Sequence, residues 1–391
     1  MGFNIKNEST LALNIEATEG TYAAAEAGDY VRPLADGASV NLERTTIDRD
    51  ILSSTLEEEA SRIGIKTANL EYSIEVLAAT TEGDAPQDLD ASLQSLMGGR
   101  RQITSDQTTG SSNTSTSLIF ASTSAFAVGD LVLVKEDGAY EVRPVSAIVT
   151  NTSITLAFAL DNGAPSDNVV VAQLTTYYNN LGSAPSFSAE WVEGGNVRNA
   201  VAGCKMASGS LSGWETGGVP NFSFSSMGLD VVKSVAGPAA TPSYETTLPP
   251  VALSACAWIK IGGVWTSVSY QALSFSVENT MAAILDACNA NGKVGQRHTK
   301  QVVTAQINPY QADDAVARFS DYNDNDDTGI FAYAYNPTST AGEFQNSFAF
   351  YIPQAKITEF LAGDQEGLLT DQITMKAHRD SGSDSLFMSF S

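Results

Sequence analysis

Residues 347–391 read SFAFYIPQAKITEFLAGDQEGLLTDQITMKAHRDSGSDSLFMSFS, and the alternation within them decides the fold class. Phe348, Phe350 and Ile352 alternate with Ala349, Tyr351 and Pro353, and Ile373, Met375 and Ala377 alternate with Gln372, Thr374, Lys376 and His378. A last short apolar run, 386–390, closes the chain. Period-2 alternation is the mark of half-buried strands, so three strands are expected in succession. Between them lie Gly363-Asp364-Gln365-Glu366-Gly367 and Asp380-Ser381-Gly382-Ser383-Asp384, built from residues that tolerate positive φ or bond their own backbone.

The same pattern runs through the rest of the chain. Leu11, Leu13 and Ile15 alternate as a first strand, and a second strand region covers 40–47. After Glu57-Glu58-Glu59 comes a strand over 66–78 in which Leu70, Tyr72, Ile74 and Val76 face one way and Glu71, Ser73 and Glu75 the other. The run 88–97 places Leu89, Leu93, Leu96 and Met97 on one helical face and ends at Gly98-Gly99, a helix stop. Residues 104–117 are almost entirely Ser, Thr, Asn, Gln and Gly, as in a linker. Beyond them, strands over 131–134, 140–149, 154–160 and 169–174, with turns at Glu136-Asp137-Gly138 and Asp161-Asn162-Gly163, predict a small barrel or sandwich inserted at 104–178.

Strands over 187–193, 197–206 and 222–225 are echoed by 331–335, 347–355 and 369–377 at an offset of roughly 145 to 150 residues. The strand and helix over 66–97 are echoed by a strand over 300–307 and a helix after Asn308-Pro309 that carries Val316 and Phe319, at roughly 225 to 230 residues. The two offsets differ by about the length of the insert, so one insertion into the first of two copies accounts for both. The chain therefore divides into a discontinuous first domain (1–103 and 179–236), the insert (104–178), a proline-rich connector (237–250) closed by Leu248-Pro249-Pro250, and a second domain (251–391). The second domain opens with a hairpin over 255–261 and 264–277, turned at Gly262-Gly263.

Composition narrows the function. The 391 residues carry 21 Lys and Arg against 45 Asp and Glu, a net charge of −24, so a basic footprint for gripping phosphates is missing. Cys204, Cys256 and Cys288 are odd in number and widely spaced, as reduced thiols rather than a disulfide or zinc framework. The first residues lack a basic region followed by an apolar run, and Lys6 breaks the myristoylation pattern; a soluble product is expected. His298 and His378 are the only histidines, and no G-x-S-x-G elbow accompanies them. The loop Asp321 to Gly329 is oxygen-rich, but Asp326 and Ala332 stand where an EF-hand needs Gly and Glu. No catalytic, cofactor-binding or metal-ligating residue is assigned, and an enzyme is not expected.

A strand with a proline, the DQEG turn, a strand, SGSD and a terminal strand resemble the C-terminus of the tail tube proteins of long-tailed bacteriophages. The N-terminal half matches the same family in its Gly20-Thr21-Tyr22 segment, its Asp48-Arg49-Asp50 and its Gly64, Lys66, Thr67 strand followed by a helix. The resemblance implies a mainly β fold: two tandem tail-tube-type β-sandwich or barrel domains, each with a flanking short helix, plus the small inserted all-β domain. It implies a structural subunit that self-associates in rings, trimeric if each chain supplies two of six domains and hexameric otherwise. The rings would stack around a channel for DNA and the tape measure protein, capped by tail-tip and tail terminator proteins and with no membrane partner. An acidic wall would let DNA slide without sticking, with Glu71 and Glu75 as candidate lumen residues. Another β-rich virion protein, such as a tail terminator or capsid decoration, and a surface adhesin or carbohydrate-binding module are the alternatives.

Overall fold

Long alternating strands can bury one face only by packing against a second sheet, and this chain does so twice over. The computed structural model describes residues 6–35, 38–49, 60–79, 81, 83–103, 105–136, 139–172, 174–246, 249, 255–335, 347–380, 382 and 384–390. Glu57 to Glu59, Asp50, the Asp137-Gly138 turn, Leu248, Pro250, Ser381 and Ser383 lie outside them.

A front sheet runs through eight antiparallel strands in the order Ser39–Ile47, Arg62–Glu75, Asn221–Gly228, Val197–Glu215, Tyr270–Leu285, Lys293–Pro309, Leu368–Ala377 and Phe348–Gln365. Behind its first half lie Tyr30–Val31, Thr10–Ile15, Phe187–Glu193, the start of Val197–Glu215 and Asp230–Val235. Behind its second half lie Val264–Val268, Ala255–Ile261, Thr328–Ala334, the start of Phe348–Gln365 and Phe387–Phe390. The two halves thus repeat the same strand order. They also repeat two irregularities: a bulge at Phe187/Ala189 and at Thr328/Ile330, and another at Met206/Ser208 and at Ile357/Glu359.

Those bulges let one strand serve two sheets, because an extra residue bends a strand and increases its twist. In Val197–Glu215 the bend is helped by Gly203, whose φ of +68° no side chain adopts readily and whose Cβ would meet Leu229 at 2.6 Å. The turns follow the sequence closely. Gly262 and Gly263 take φ values of 55° and 83°, and Glu366-Gly367 turns the DQEG hairpin at 51° and 88°.

Between the sheets lies one continuous core. Phe222 meets Phe275 at 5.9 Å, Phe275 meets Phe350 at 4.9 Å, and Trp214 meets Phe350 edge-on at 5.7 Å, so rings from both halves interleave. The Trp214 indole donates to Tyr270 Oη at 2.8 Å, which satisfies its one donor.

Residues 107–172 form a separate six-stranded sheet in the order Gln107–Thr108, Val170–Ala172, Leu131–Glu136, Ala139–Val149, Ser153–Leu156 and Ser117–Ile119. Its strand Leu131–Glu136 is apolar on both faces: Val132 and Val134 enter its own core with Phe120, Ile154 and Leu156, while Leu131 and Leu133 meet Phe331, Tyr333 and Phe387 of the back sheet. Phe158 packs at 5.5 Å from each of Trp258, Trp265 and Phe331, and the fully buried Arg143 guanidinium lies over Phe158 and Trp258 at 4.8 and 5.0 Å. At the root, Thr175–Asn179 bridges Gly98–Gln102 and Phe387–Phe390, which ties the insert to the C-terminal strand.

Three local readings change. The first helix is Asp90–Met97, two residues later than expected, because Asp88 is buried and accepts from the Arg32 backbone at 3.4 Å. Its left-handed Gly98 stop is as read. The strand Lys293–Pro309 runs through Asn308-Pro309, so the second helix, Ala315–Asn323, starts later and leaves Val316 and Phe319 exposed. The run 264–277 is two strands: Val264–Val268 stays in the back sheet, and Tyr270–Leu285 crosses to the front to form the long hairpin with Lys293–Pro309. An unbroken period-2 pattern shows which residues share a face, but it does not show a change of sheet.

Phe331 is fully buried between the back sheet and the insert. Phe331→Ala is expected to cost roughly 3–5 kcal/mol of folding stability, whereas Phe319→Ala costs only about 1 kcal/mol. Denaturant unfolding of the two variants checks the contrast.

Candidate assembly surfaces

The outward face of the front sheet is set by the residues that alternate with the core. Ser73, Ser223, Ser210, Ser276, Thr304 and Lys376 follow one another across six strands in direct register. The next row holds Ser39, Glu71, Ser225, Ser208 and Glu278. Ser73 and Ser223 share a hydrogen bond of 2.8 Å, and a hollow of about 350 Å³ lies over Ser39, Glu71, Ser73, Ser208 and Ser210. Rows of small hydroxyls present little to grip.

Glu71 and Glu75 both lie on this face, Glu71 exposed and Glu75 half-buried. Sequence reading missed the carboxylates Glu43, Glu278 and Glu359 and the cations Lys300 and Lys376, which belong to the same face. Their signal was the same alternation; Glu278, for instance, sits between the buried Val277 and Asn279.

Two edges of the front sheet stay open among the described residues. Ser39–Ile47 pairs with Arg62–Glu75 on one side only, and the second half of Phe348–Gln365 pairs with Leu368–Ala377 on one side only. A row of unpaired backbone donors and acceptors is a template for another strand.

The chain contains its own example of how such edges join. Ser208 to Leu211 pair with Glu278 to Phe275, so the last front strand of the first half accepts the first front strand of the second. Side chains lock this junction. Asn279 Nδ2 donates to Leu96 O at 2.9 Å, Gln301 Nε2 to the same carbonyl at 3.3 Å, and Lys293 Nζ to Thr67 Oγ1 and Gly228 O at 3.1 Å each. Glu19 accepts from the Gln296 backbone at 2.9 Å and pairs with Lys205 at 3.3 Å and with Arg297. Burial alone would raise the Glu19 carboxyl, yet the Gln296 N–H and the two cations hold it below the ordinary value.

The residues that carry chemistry elsewhere are engaged in structure here. His298 Nε2 bonds Met206 O at 3.0 Å, and His378 Nε2 meets Asp327 at 3.0 Å. In the oxygen-rich loop, Asp321 accepts from the Gly262 backbone at 3.0 Å, Asp324 from Ser320 at 3.0 Å, and Asp327 pairs with Lys356 at 2.8 Å. Among the described residues no group of His, Cys, Asp and Glu is arranged to hold a metal ion. Cys204 is buried, Cys256 half-buried and Cys288 exposed, all as free thiols.

Burial lowers the His298 pKa below its ordinary value, and Nδ1 has no hydrogen-bond partner among the described residues. The folded protein therefore favours the neutral imidazole, and this contribution is fully present above the unfolded-state value of about 6.5 and lost as pH falls through the lower folded value. Wild-type melting temperature should drop between pH 7 and pH 5. His298→Gln, which keeps the donor to Met206, should lose less over the same interval in a thermal melt series.

An extended polar sheet face, open edges and an internal edge-to-edge junction describe a building unit. No curated protein matches the chain. A family model described as phage tail tube protein matches residues 6–367, nearly the whole chain, and the chain belongs to that family.

Proposed function

We propose that this chain is the subunit of a phage tail tube, and that three copies close a ring by joining the open edge of Phe348–Gln365 to the Ser39–Ile47 edge of the next copy. In this reading residues 1–103 with 179–236 and residues 251–391 are two tandem tube units linked by 237–250. The insert, 104–178, faces away from the channel. The observation that carries the reading is the pair of open edges on a sheet that already contains the required junction once.

Strand arithmetic favours three chains. Strands spaced about 4.8 Å apart and tilted about 40° make a 24-strand barrel roughly 50 Å across between backbones. A 16-strand barrel from two chains would span only about 30 Å. The larger leaves room for a DNA duplex inside a lining of side chains. The polar face of the front sheet lines that channel, where hydroxyls and the carboxylates Glu43, Glu71, Glu278 and Glu359 outnumber Lys300 and Lys376 and give phosphates little purchase. Stacked rings then form the conduit, occupied by the tape measure protein before DNA passes, with tail-tip and tail terminator proteins at its ends.

Negative-stain microscopy of concentrated protein should show hollow tubes of constant bore, and a reconstruction should count three chains per ring. Strict monomers at every concentration overturn the tube reading, and six chains per ring overturn the tandem one. Within assembled particles, replacing Glu71, Glu278 and Glu359 together by Lys should leave tubes intact and slow DNA release, read as DNA ejected per unit time. Unchanged release would remove the channel role from this face.

A further inference from the structure

The two helices occupy the same place in their halves, yet one is covered and the other is not. Each follows the long hairpin of its half and lies on the bent strand, Asp90–Met97 on Val197–Glu215 and Ala315–Asn323 on Phe348–Gln365. On the first helix Leu93, Leu96 and Met97 are fully buried, and the second half closes its last turn through Asn279 and Gln301. On the second helix Val316 is 80% exposed, Phe319 51% and Tyr322 36%.

That exposed face is held firmly. Arg318 bonds the buried Asp371 at 2.7 Å and Tyr310 O at 3.1 Å, and Phe319 and Tyr322 pack on Phe360 at 5.6 and 6.0 Å. A fixed aromatic cluster beside an open strand edge has the makeup of an interface core.

The internal junction identifies what covers it. The shared bulges make Met206 the counterpart of Ile357 and Gly209 that of Phe360, and the cross-strand pairs make Lys66 the counterpart of Gln301. By the same registers Leu42 and Arg44 correspond to Val277 and Asn279, and Asn279 bonds the last turn of the first helix. Leu42 and Arg44 are exposed. Where the internal junction places a neutral Asn279 on a helix C-terminus, the first half carries a cation, and the end of the second helix carries Asp324 and Asp326. A guanidinium beside a helix C-terminus and carboxylates is favourable on both counts.

We propose that the second helix and the edge beside it dock the Ser39–Ile47 strand of a second copy of this chain, with Phe360 opposite Leu42, Leu361 opposite Asn41, and Arg44 at the end of the helix. This rests on the ring reading above and adds to it the register and the anchor residues.

The test uses full-length chain carrying Cys288→Ser, assembled and then oxidised. Leu361→Cys with Asn41→Cys should give covalent dimers and closed trimers on a non-reducing gel, because a disulfide needs Cα atoms within about 7 Å. Leu361→Cys with Ile47→Cys should give neither. Phe319→Asp should raise the protein concentration needed for assembly at least ~30-fold, with monomer circular dichroism unchanged. Tubes that form without the paired crosslink, or that crosslink equally in the Ile47 variant, overturn this interface and leave the tube function standing. Phe319→Asp that assembles at the wild-type concentration also overturns it. Wild-type protein that never assembles overturns both.

Discussion

The backbone pairing of Val197–Glu215 with Tyr270–Leu285 is the contact on which the rest of the molecule depends. It turns two four-stranded sheets into one eight-stranded sheet and removes two edges that would otherwise be open. Backbone donors and acceptors at an edge cost free energy when buried unpaired, so a protein with long strands has to satisfy or hide them. Here an internal repeat of strand order and bulge position satisfies one pair of edges within the chain. The other pair, Ser39–Ile47 and the end of Phe348–Gln365, stays open among the described residues.

Packing follows from that junction. Once the front strands are continuous, Phe222 and Phe224 of the first half and Phe275, Phe348 and Phe350 of the second meet in one layer, and no boundary between cores remains. The back sheet has two apolar faces where Thr328–Ala334 runs, with Ile330 and Ala332 turned inward and Phe331 and Tyr333 turned outward. A strand apolar on both sides needs cover on both sides. The insert supplies the outer cover, so its sheet is bound through Phe158, Arg143 and Leu133 as well as through its connecting strands. The buried cations Arg143, Lys205, Lys293 and Arg318 are each met by oxygens at 2.7 to 3.3 Å.

Membership of the tail tube family and an eight-stranded sheet with open ends agree at the level of architecture. The two histidines and the aspartate-rich loop are taken up by hydrogen bonds to backbone and to neighbouring side chains.

The sequence by itself determined the local elements. Alternation placed Leu70, Tyr72 and Ile74 on the inner face and Glu71 and Glu75 on the outer one; Gly98 stopped the first helix, and Gly262-Gly263 and Glu366-Gly367 made turns. These are decisions of neighbouring residues, governed by the period of the strand and by which residues accept positive φ. Only the tertiary structure decided which strands lie side by side. It moved Tyr270–Leu285 to the front sheet, buried the helix at Asp90–Met97, left the one at Ala315–Asn323 uncovered, and brought Glu43, Glu278 and Glu359 onto one face. The physical reason is that period fixes which way a side chain points relative to its own strand, whereas partner and register are fixed by backbone pairing between segments tens to hundreds of residues apart.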